Sequence, residues 1–578
     1  MSKPSSVKPE YPRPQLVRDS YINLNGNWEF EFDNSLSEKE RGIYKRHLKD
    51  KIIVPFCPES KLSGIEEKDY INKVWYRKDF TANCGGKRLI LHFGAIDWES
   101  ELFINGVYVA AHRGGYVPFD CDITDYVKNG ENYLTVSAYD DAKNKTYGSG
   151  KQVWDLKPRS CLYTRTTGIW QTVWMEYVDN THIDNIKAYP NISDTSVTLE
   201  ILLSECEDVK VDTVIAFDGR ICGKKTVPVY SKSTKINVPL SERHLWEIGE
   251  GNLYDIKLTL IKNGKVTDEV FSYFGLREIC LSKEKFLLNG KSLFQRLVLD
   301  QGYYPDGVYT SPDDDAIKND ILCALQLGFN GARLHEKIFE PRYLYWADKL
   351  GFIVWGEYPD WGMNRRDYTN IHNFIKEWLE VINRDFNHPS VIGWCPFNEI
   401  HLEERNYDFI ADVFRITKAI DPTRPVIDVS GYFHTDETDI VDMHFYEQNL
   451  AAFGNFFKEP NLSAKPKNLT AIEYDWKRIY KKGVPLFISE YGGIGFGNNE
   501  NSWGYGDYPE TEEEFIERYK GLTEALLFNE NIMGFCYTQL YDVEQETNGL
   551  MTYQRKYKLP PEIIRKINTQ IAAIEDNV

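Results

Sequence analysis

Along the first third of the chain, apolar and polar residues alternate in short runs broken by Gly, Asn and Pro. "NGNWEFEF" (25–32), "LILHFG" (89–94), "ELFINGVYVAAH" (101–112) and "NYLTVSAY" (132–139) carry the two-residue period of half-buried strands. In "FINGVYV" the Asn105-Gly106 pair tolerates the positive φ of a type I′ turn and predicts a hairpin. "GIWQTVWMEYV" (168–178) is the last strong strand of a region spanning 1–180, whose pattern predicts a jelly-roll-like β-sandwich. Alternation continues in "SVTLEILL", "VDTVIAF", "TKINVPL" and "LYDIKLTLI", and the length of 181–278 suits an immunoglobulin-like sandwich.

From 279 to 578 the pattern changes to apolar strands separated by helix-period runs. Eight strands are predicted: "SLFQRLVL" (292–299), "GARLH" (331–335), "FIVWGE" (352–357), "VIGWCPFNE" (391–399), "PVIDVS" (425–430), "IVDMHFY" (440–446), "PLFISE" (485–490) and "IMGFCYTQL" (532–540). Ile317, Ile321 and Leu325 follow an acidic start at Asp313 to Asp315. Phe374, Trp378 and Ile382 precede Pro389, and Phe409, Val413, Ile416 and Ile420 precede Pro422. Gly351 stands where a C-cap glycine belongs. Eight strand–helix units in this length predict a TIM (β/α)8 barrel, which places its reacting groups at the C-terminal strand ends.

Those ends are polar. They present Asp300, His335 with Glu336, Glu357, Asn398 with Glu399, His444 with Tyr446, Glu490, and Tyr541 with Asp542. Glu399 and Glu490 close the fourth and seventh predicted strands, on opposite sides of the barrel mouth. Two carboxylates facing one cavity are the minimum apparatus for cleaving a glycosidic bond: one attacks the anomeric carbon, and the other, with its pKa raised, protonates the departing oxygen. An amide beside the acid, as at Asn398, can hydrogen-bond a sugar hydroxyl as charge develops. The structural alternative is that Asn398 and Glu399 cap a turn and that Glu490 pairs with Arg333.

Composition narrows the partners. A formal net charge of −19 argues against nucleic acid or an anionic membrane surface and favours a small, neutral substrate. Aromatic residues make up 14% of the chain, with 14 Trp and 37 Tyr, which favours a cleft lined with flat rings. "MSKPSSVKPEYPRP" lacks an apolar signal core and no run approaches the roughly 18 apolar residues of a membrane span, so a cytoplasmic location is expected. The 10 Cys are scattered with no C-x-x-C spacing and read as free thiols, not as a disulfide frame or a zinc site.

"DFNHPSVIGWCPFNE" (385–399) resembles the acid/base signature of glycoside hydrolase family 2, the family of β-galactosidases, β-glucuronidases and β-mannosidases, and "FISEYGG" (487–493) resembles its nucleophile segment. "NGARLH" (330–335) is similar to the family's Asn-x-x-Arg motif. "LHFGAIDWESELFINGVYVAAHRGGYVPFDCDITDYV" (91–127) and "GIWQTVWME" resemble its sugar-binding jelly roll. The resemblance covers nearly the whole chain, in the family's domain order. It implies a retaining mechanism with Glu399 as acid/base and Glu490 as nucleophile, about 5 to 5.5 Å apart. It further implies that Arg333 and Tyr446 support the nucleophile and that Asn398 holds the 2-hydroxyl. His444 either touches substrate or orients Tyr446.

Departures from the family bear on the substrate. Large β-galactosidases bind magnesium near the acid/base through a His-Glu-His-type run; here "RLVLDQGYYPDG" (296–307) offers Asp300 and no His, so no metal or cofactor is expected. After Arg333, "LHEKIFEP" replaces His-Tyr-Pro and places His335 and Glu336 nearby with altered spacing. Family β-glucuronidases grip the sugar carboxylate with Asn-x-Lys, whereas "EQETNGLMTYQRKYK" (544–558) carries Glu546 and Asn548 at the matching positions. A Glu there repels a uronate. The expectation is an exo-β-glycosidase for neutral sugars, foremost a β-galactosidase. The alternatives are a β-mannosidase, an α-L-arabinosidase, a fucosidase-like enzyme, a β-glucuronidase or a non-enzymatic carbohydrate-binding protein. Asp300, Glu357 and Glu546 are candidate hydroxyl acceptors or solvated loop acids. Trp361 and Trp503 either stack on sugar or pack on the scaffold, and the 493–513 loop is a candidate rim. Relatives of this kind imply a homo-oligomer.

Overall fold

The computed structural model describes residues 7–282, 285–401, 404–458, 484–497 and 502–575. The N-terminal sandwich pairs a six-stranded antiparallel sheet with a four-stranded one. Trp28 and Phe30 from the first meet Leu91, Phe93 and Met175 from the second in a closed apolar core. The Asn105-Gly106 hairpin forms between Glu99–Ile104 and Val107–Arg113, with φ of 51° and 76° at its two turn residues. A second sandwich follows, a three-stranded sheet against a four-stranded one, with Leu199, Ile201, Val211, Ile215 and Leu258 in its core.

Among the described residues the C-terminal region holds seven parallel strands: β1 (Gln295–Asp300), β2 (Gly331–Leu334), β3 (Ile353–Glu357), β4 (Val391–Cys395), β5 (Val441–Phe445), β6 (Leu486–Gly492) and β7 (Ile532–Thr538). Their spatial order is β4-β3-β2-β1-β7-β6-β5. Between them lie α1 (Asp314–Gln326), α2 (Pro341–Leu350), α3 (Tyr368–Asp385), α4 (Tyr407–Ile420), α5 (Leu450–Lys458) and α6 (Glu512–Leu527), and α7 (Pro561–Asn568) follows β7. The Asp313 carboxylate caps α1 by accepting from the Ala316 amide, and Gly351 ends α2 at φ 64°. No helix among the described residues is long and apolar enough to cross a membrane.

The predicted strand at 425–430 is reduced to two isolated parallel bridges, Trp394 to Val426 and Asn398 to Ser430, which fill the position between β4 and β5. Side chains have taken the backbone donors that a ladder needs. Asp428 accepts from the amides of Val429 (2.9 Å) and Thr435 (2.6 Å), and Asp439 accepts from that of Val426 (3.0 Å).

Both sandwiches dock on the barrel. The second anchors through Trp246, whose indole donates to the Asp348 carbonyl at 2.8 Å, and through Arg277, which donates to the carbonyls of Pro389 and Val391. The jelly roll sends its 148–151 loop onto the barrel mouth. A Cβ at Gly148 would lie 2.0 Å from the Pro359 carbonyl and one at Gly150 2.2 Å from that of Glu336, so only glycine permits this approach.

Glu377 of α3 joins the same interface, accepting from the Tyr116 amide at 2.8 Å and the Tyr358 hydroxyl at 2.7 Å. Burial pushes its pKa up from 4.5 to about 7, against the opposing pull of those two donors. A folded-state pKa above the unfolded value means that its stabilising contribution is complete below about 4.5 and is lost as pH rises through 7. Urea midpoints are therefore expected to fall between pH 5.5 and 8, and Glu377→Gln to reduce that fall; an unchanged slope in the variant would exclude Glu377 as its source.

Candidate active site

Arg333, at the C-terminal half of β2, is 1% exposed and gathers four strand ends around one guanidinium. Its Nε donates to Glu357 Oε1 at 2.5 Å, and its Nη1 to the Ser489 carbonyl at 2.7 Å and to Glu490 Oε1 at 3.1 Å. Its Nη2 reaches Asn398 Oδ1 at 3.3 Å. The other Glu490 oxygen accepts from the Tyr446 hydroxyl at 2.5 Å, and the Tyr446 ring stacks on Tyr505 with centroids 3.6 Å apart. Glu490 is thereby fixed in position between a cation and a phenol.

Glu399 sits one residue beyond Asn398 in a left-handed backbone conformation, φ 48°, with its amide donating to the Ser430 carbonyl at 2.9 Å. That backbone is strained for a non-glycine residue, and the strain turns the carboxyl across the mouth. Oε1 meets His444 Nδ1 at 2.5 Å, and the same Nδ1 lies 3.3 Å from Glu490 Oε2. One oxygen of each carboxylate and His444 Nδ1 all fall within 4.8 Å of one another. The raised pKa expected for Glu399 is not found. Burial alone would raise it, but His444, Lys151 and Tyr432 outweigh burial and hold the carboxyl at about 2. Burial likewise opposes the charged form of His444, yet Glu490 and Glu399 raise its pKa above 6.5.

Asn398 presents a buried Nδ2 with no protein partner, a donor free for ligand. Trp361 is fixed by its indole, which donates to the Asn398 carbonyl at 3.1 Å, and by its amide, which donates to Glu336. It lines a cleft of about 560 Å³ with Trp154, Lys143, Lys145, Arg365 and Glu399. A second cleft, of about 360 Å³, between the N-terminal arm and α3 shares none of these residues.

Three residues assigned to substrate by sequence have other partners. Asp300 accepts from the Tyr541 and Tyr343 hydroxyls and the Gly302 amide, and Glu357 from Arg333, His335 and the Glu336 amide. Both carboxylates are 1% exposed and act as struts beneath the mouth, not as hydroxyl acceptors. Asp300, with its oxygens so engaged, does not fit a magnesium ligand either. His335 spends Nδ1 on Glu357 at 2.9 Å, while its Nε2 lies 3.9 Å from Glu490; burial and the nearby Lys151 keep it neutral.

Glu546 is buried. It accepts from the Tyr163 hydroxyl and from Asn548 Nδ2 at 2.9 Å, and burial raises its pKa to about 7. Trp503 pairs by backbone with Gln545 and Thr547, and its ring meets that of Tyr505, which stacks on Tyr446, at 5.1 Å. Residues 498–501 of the predicted rim lie outside the described residues. Lys151, which the sequence reading missed, is 5% exposed and rests its ammonium 3.4 Å from the Trp361 ring centroid, within the fields of Glu399, Glu336 and Glu490. Its one sequence signal is the "GSGK" run, two glycines clearing the way for a long side chain.

Three family models match in order along the chain: the sugar binding domain of glycosyl hydrolases family 2 at residues 22–163, the family's central domain at 181–277, and its TIM barrel domain at 279–572. The chain belongs to glycosyl hydrolase family 2. Its relatives include β-galactosidases and β-glucuronidases. A β-galactosidase of Thermoanaerobacter pseudethanolicus is 28% identical over 62% of this chain, a match that spans about half (49%) of that enzyme's length. A β-glucuronidase of Rattus norvegicus is 25% identical over 83% of this chain and 79% of its own. Among solved structures, the β-glucuronidase of Ruminococcus gnavus in complex with D-glucuronic acid superposes with a TM-score of 0.78 at 20% identity, covering 97% of this chain and 100% of that one. At that identity the likeness is one of fold.

Removing the Arg333 cation strands Glu357 and Glu490 in a dry interior. Arg333→Met is expected to lower unfolding free energy by about 3–5 kcal/mol. Chemical denaturation measures this, and a loss below about 1 kcal/mol, the value of an exposed pair, would contradict the buried node.

Proposed function

We propose that the protein is a retaining exo-β-glycosidase acting on a neutral sugar, with β-galactosides as its first substrate class. The observation that carries the mechanism is that the two carboxylates converge on one histidine nitrogen, Glu399 Oε1 at 2.5 Å and Glu490 Oε2 at 3.3 Å from His444 Nδ1, with their near oxygens within 4.8 Å, which leaves no room for a water between them. Inverting enzymes need about 6.5–9.5 Å to admit a water between acid and base, whereas retaining enzymes place the carboxyls about 5–5.5 Å apart. Glu490, held by Arg333 and Tyr446, attacks the anomeric carbon. The Glu399 side supplies the proton to the departing oxygen and later takes one from the water that releases the sugar. Asn398 Nδ2 donates to the 2-hydroxyl, and Trp361 with Trp154 borders the leaving-group cleft.

Glu546 supports a neutral sugar. Its hydrogen-bond partners are a phenol and an amide, Lys151 acts on it only through its field, and no cation is ion-paired with it among the described residues, so its ionised form would repel a uronate. One observation favours a second reading, a β-glucuronidase: the buried Lys151 ammonium makes no ion pair among the described residues and stands in the same mouth.

A panel of p-nitrophenyl glycosides separates the two. The β-galactoside is expected to be cleaved, and Glu490→Ala to lose about 10⁴-fold or more in kcat while unfolding normally. Cleavage of the β-glucuronide in its place, lost in Lys151→Met, would replace the sugar and keep the mechanism. Near-normal turnover by Glu490→Ala would remove Glu490 from the nucleophile role.

A further inference from the structure

Behind His444 lies a chain of buried polar groups that the reaction as described does not use. His434 is fully buried between Asp428, whose Oδ1 is 2.7 Å from its Nδ1, and Asp442, whose Oδ1 is 3.2 Å from its Nε2. The Asp442 amide donates to His434 Nε2 at 2.9 Å. Burial opposes ionisation of Asp442, but His434, His444 and the Ser430 hydroxyl outweigh it and hold its carboxyl at about 2. An ionised Asp442 can only accept hydrogen bonds. Its Oδ2 takes one from the Ser489 hydroxyl and one from Ser430 Oγ at 2.6 Å, and its Oδ1 takes one from the Gly431 amide at 3.2 Å.

Ser430 has one hydrogen to give, and the charged, short contact to Asp442 claims it. The serine oxygen therefore turns a lone pair toward His444 Nε2, 2.9 Å away, and that nitrogen must carry a hydrogen. The opposite nitrogen, Nδ1, is 2.5 Å from Glu399 Oε1. A bare carboxylate and a bare imidazole lone pair would repel at this distance, so one proton lies between them.

We propose that Ser430 is a positioning residue of the acid/base step: committed to Asp442, it fixes the Nε2–H tautomer of His444, so that the proton held between His444 Nδ1 and Glu399 is the one passed to the departing oxygen. The proposal rests on the glycosidase reading given above. In the first step the glycosidic C–O bond breaks, the Glu490–carbon bond forms, and the held proton moves to the leaving oxygen. Glu399 is left ionised and His444 neutral, with its Nε2–H in place. In the second step water attacks, the Glu490–carbon bond breaks, and the proton released by the water returns to the same pair. No co-reactant is needed. The groups facing His444 are Glu399 beyond β4, Glu490 on β6, Arg333 on β2, Glu357 on β3, and Ser430 and Tyr432 from the 425–434 segment, with Asp442 behind Ser430, while Lys151 from the jelly roll acts on the pair through Glu399.

The test compares Ser430→Ala with the wild type on two glycosides of whichever sugar the wild type cleaves, one with a 2,4-dinitrophenyl leaving group that departs without a proton and one with a methyl or sugar leaving group that requires one. General acid catalysis is worth about 10²–10⁴-fold, so kcat/KM is expected to fall on the order of 30-fold or more for the poor leaving group and less than about threefold for dinitrophenyl. Removing the acceptor of Nε2–H also lowers the pKa of His444, and the alkaline limb of the poor-substrate profile moves to lower pH. An equal fall on both substrates would mark Ser430 as merely structural and overturn the proposal, as would no fall on either. Dinitrophenyl turnover reports folding of the variant. Absence of turnover by the wild type on every glycoside would instead fail the glycosidase reading, and this proposal with it.

Discussion

The mouth of the barrel is organised by one buried cation. Arg333 touches β3 through Glu357, β6 through the Ser489 carbonyl and Glu490, and the end of the fourth strand through Asn398. A guanidinium can do this because its five N–H groups leave a rigid plane in fixed directions; an ammonium at the same place would be a point charge with freely rotating donors. Burial makes the arrangement obligatory. With Arg333 1% exposed, each partner left unmatched carries its full desolvation cost, so Glu490 has no alternative position of similar energy.

Around this node, the two halves of the site are held by different means. The Glu490 half rests on β6, paired on both sides with its register shifting at Glu490, and Tyr446 is stacked on Tyr505 beside it. The Glu399 half rests on a strained residue and an incomplete strand, where the 425–430 segment gives up ladder hydrogen bonds to the side chains of Asp428 and Asp439. Ser430 at the end of that segment, Asp442 on β5 and His434 form a polar chain behind His444. The jelly roll closes the third side, its 148–150 turn lying against the carbonyls of Pro359 and Glu336 and delivering Lys151 to the Trp361 ring.

That Glu399, Glu490, Asn398 and Tyr446 share one mouth was legible in the sequence because a parallel strand's C-terminal residue has a known destination and periodicity located most of those ends, whereas Arg333 was picked out by its resemblance to the family's Asn-x-x-Arg motif. Asp300 and Glu357 obeyed the same rule and were misassigned. A strand-end carboxylate faces either substrate or struts, and what decides is its hydrogen-bond partners, Tyr541 and Tyr343 for the one and Arg333 and His335 for the other, all distant in sequence. Lys151 and Tyr163 were missed for the same reason, since they enter the mouth only when the jelly roll docks. The strand predicted at 425–430 failed because apolar pattern was read without asking what Asp428 would do to its neighbours' amides.

The central claim is that this framework holds the two carboxylates close enough for a covalent intermediate. The most direct measurement is the configuration of the first-formed sugar, followed by proton NMR before mutarotation, during hydrolysis of the glycoside that the wild type cleaves. The account predicts the β anomer, the product of two successive displacements. First appearance of the α anomer would mean that a water, not Glu490, attacks the anomeric carbon, and would contradict it.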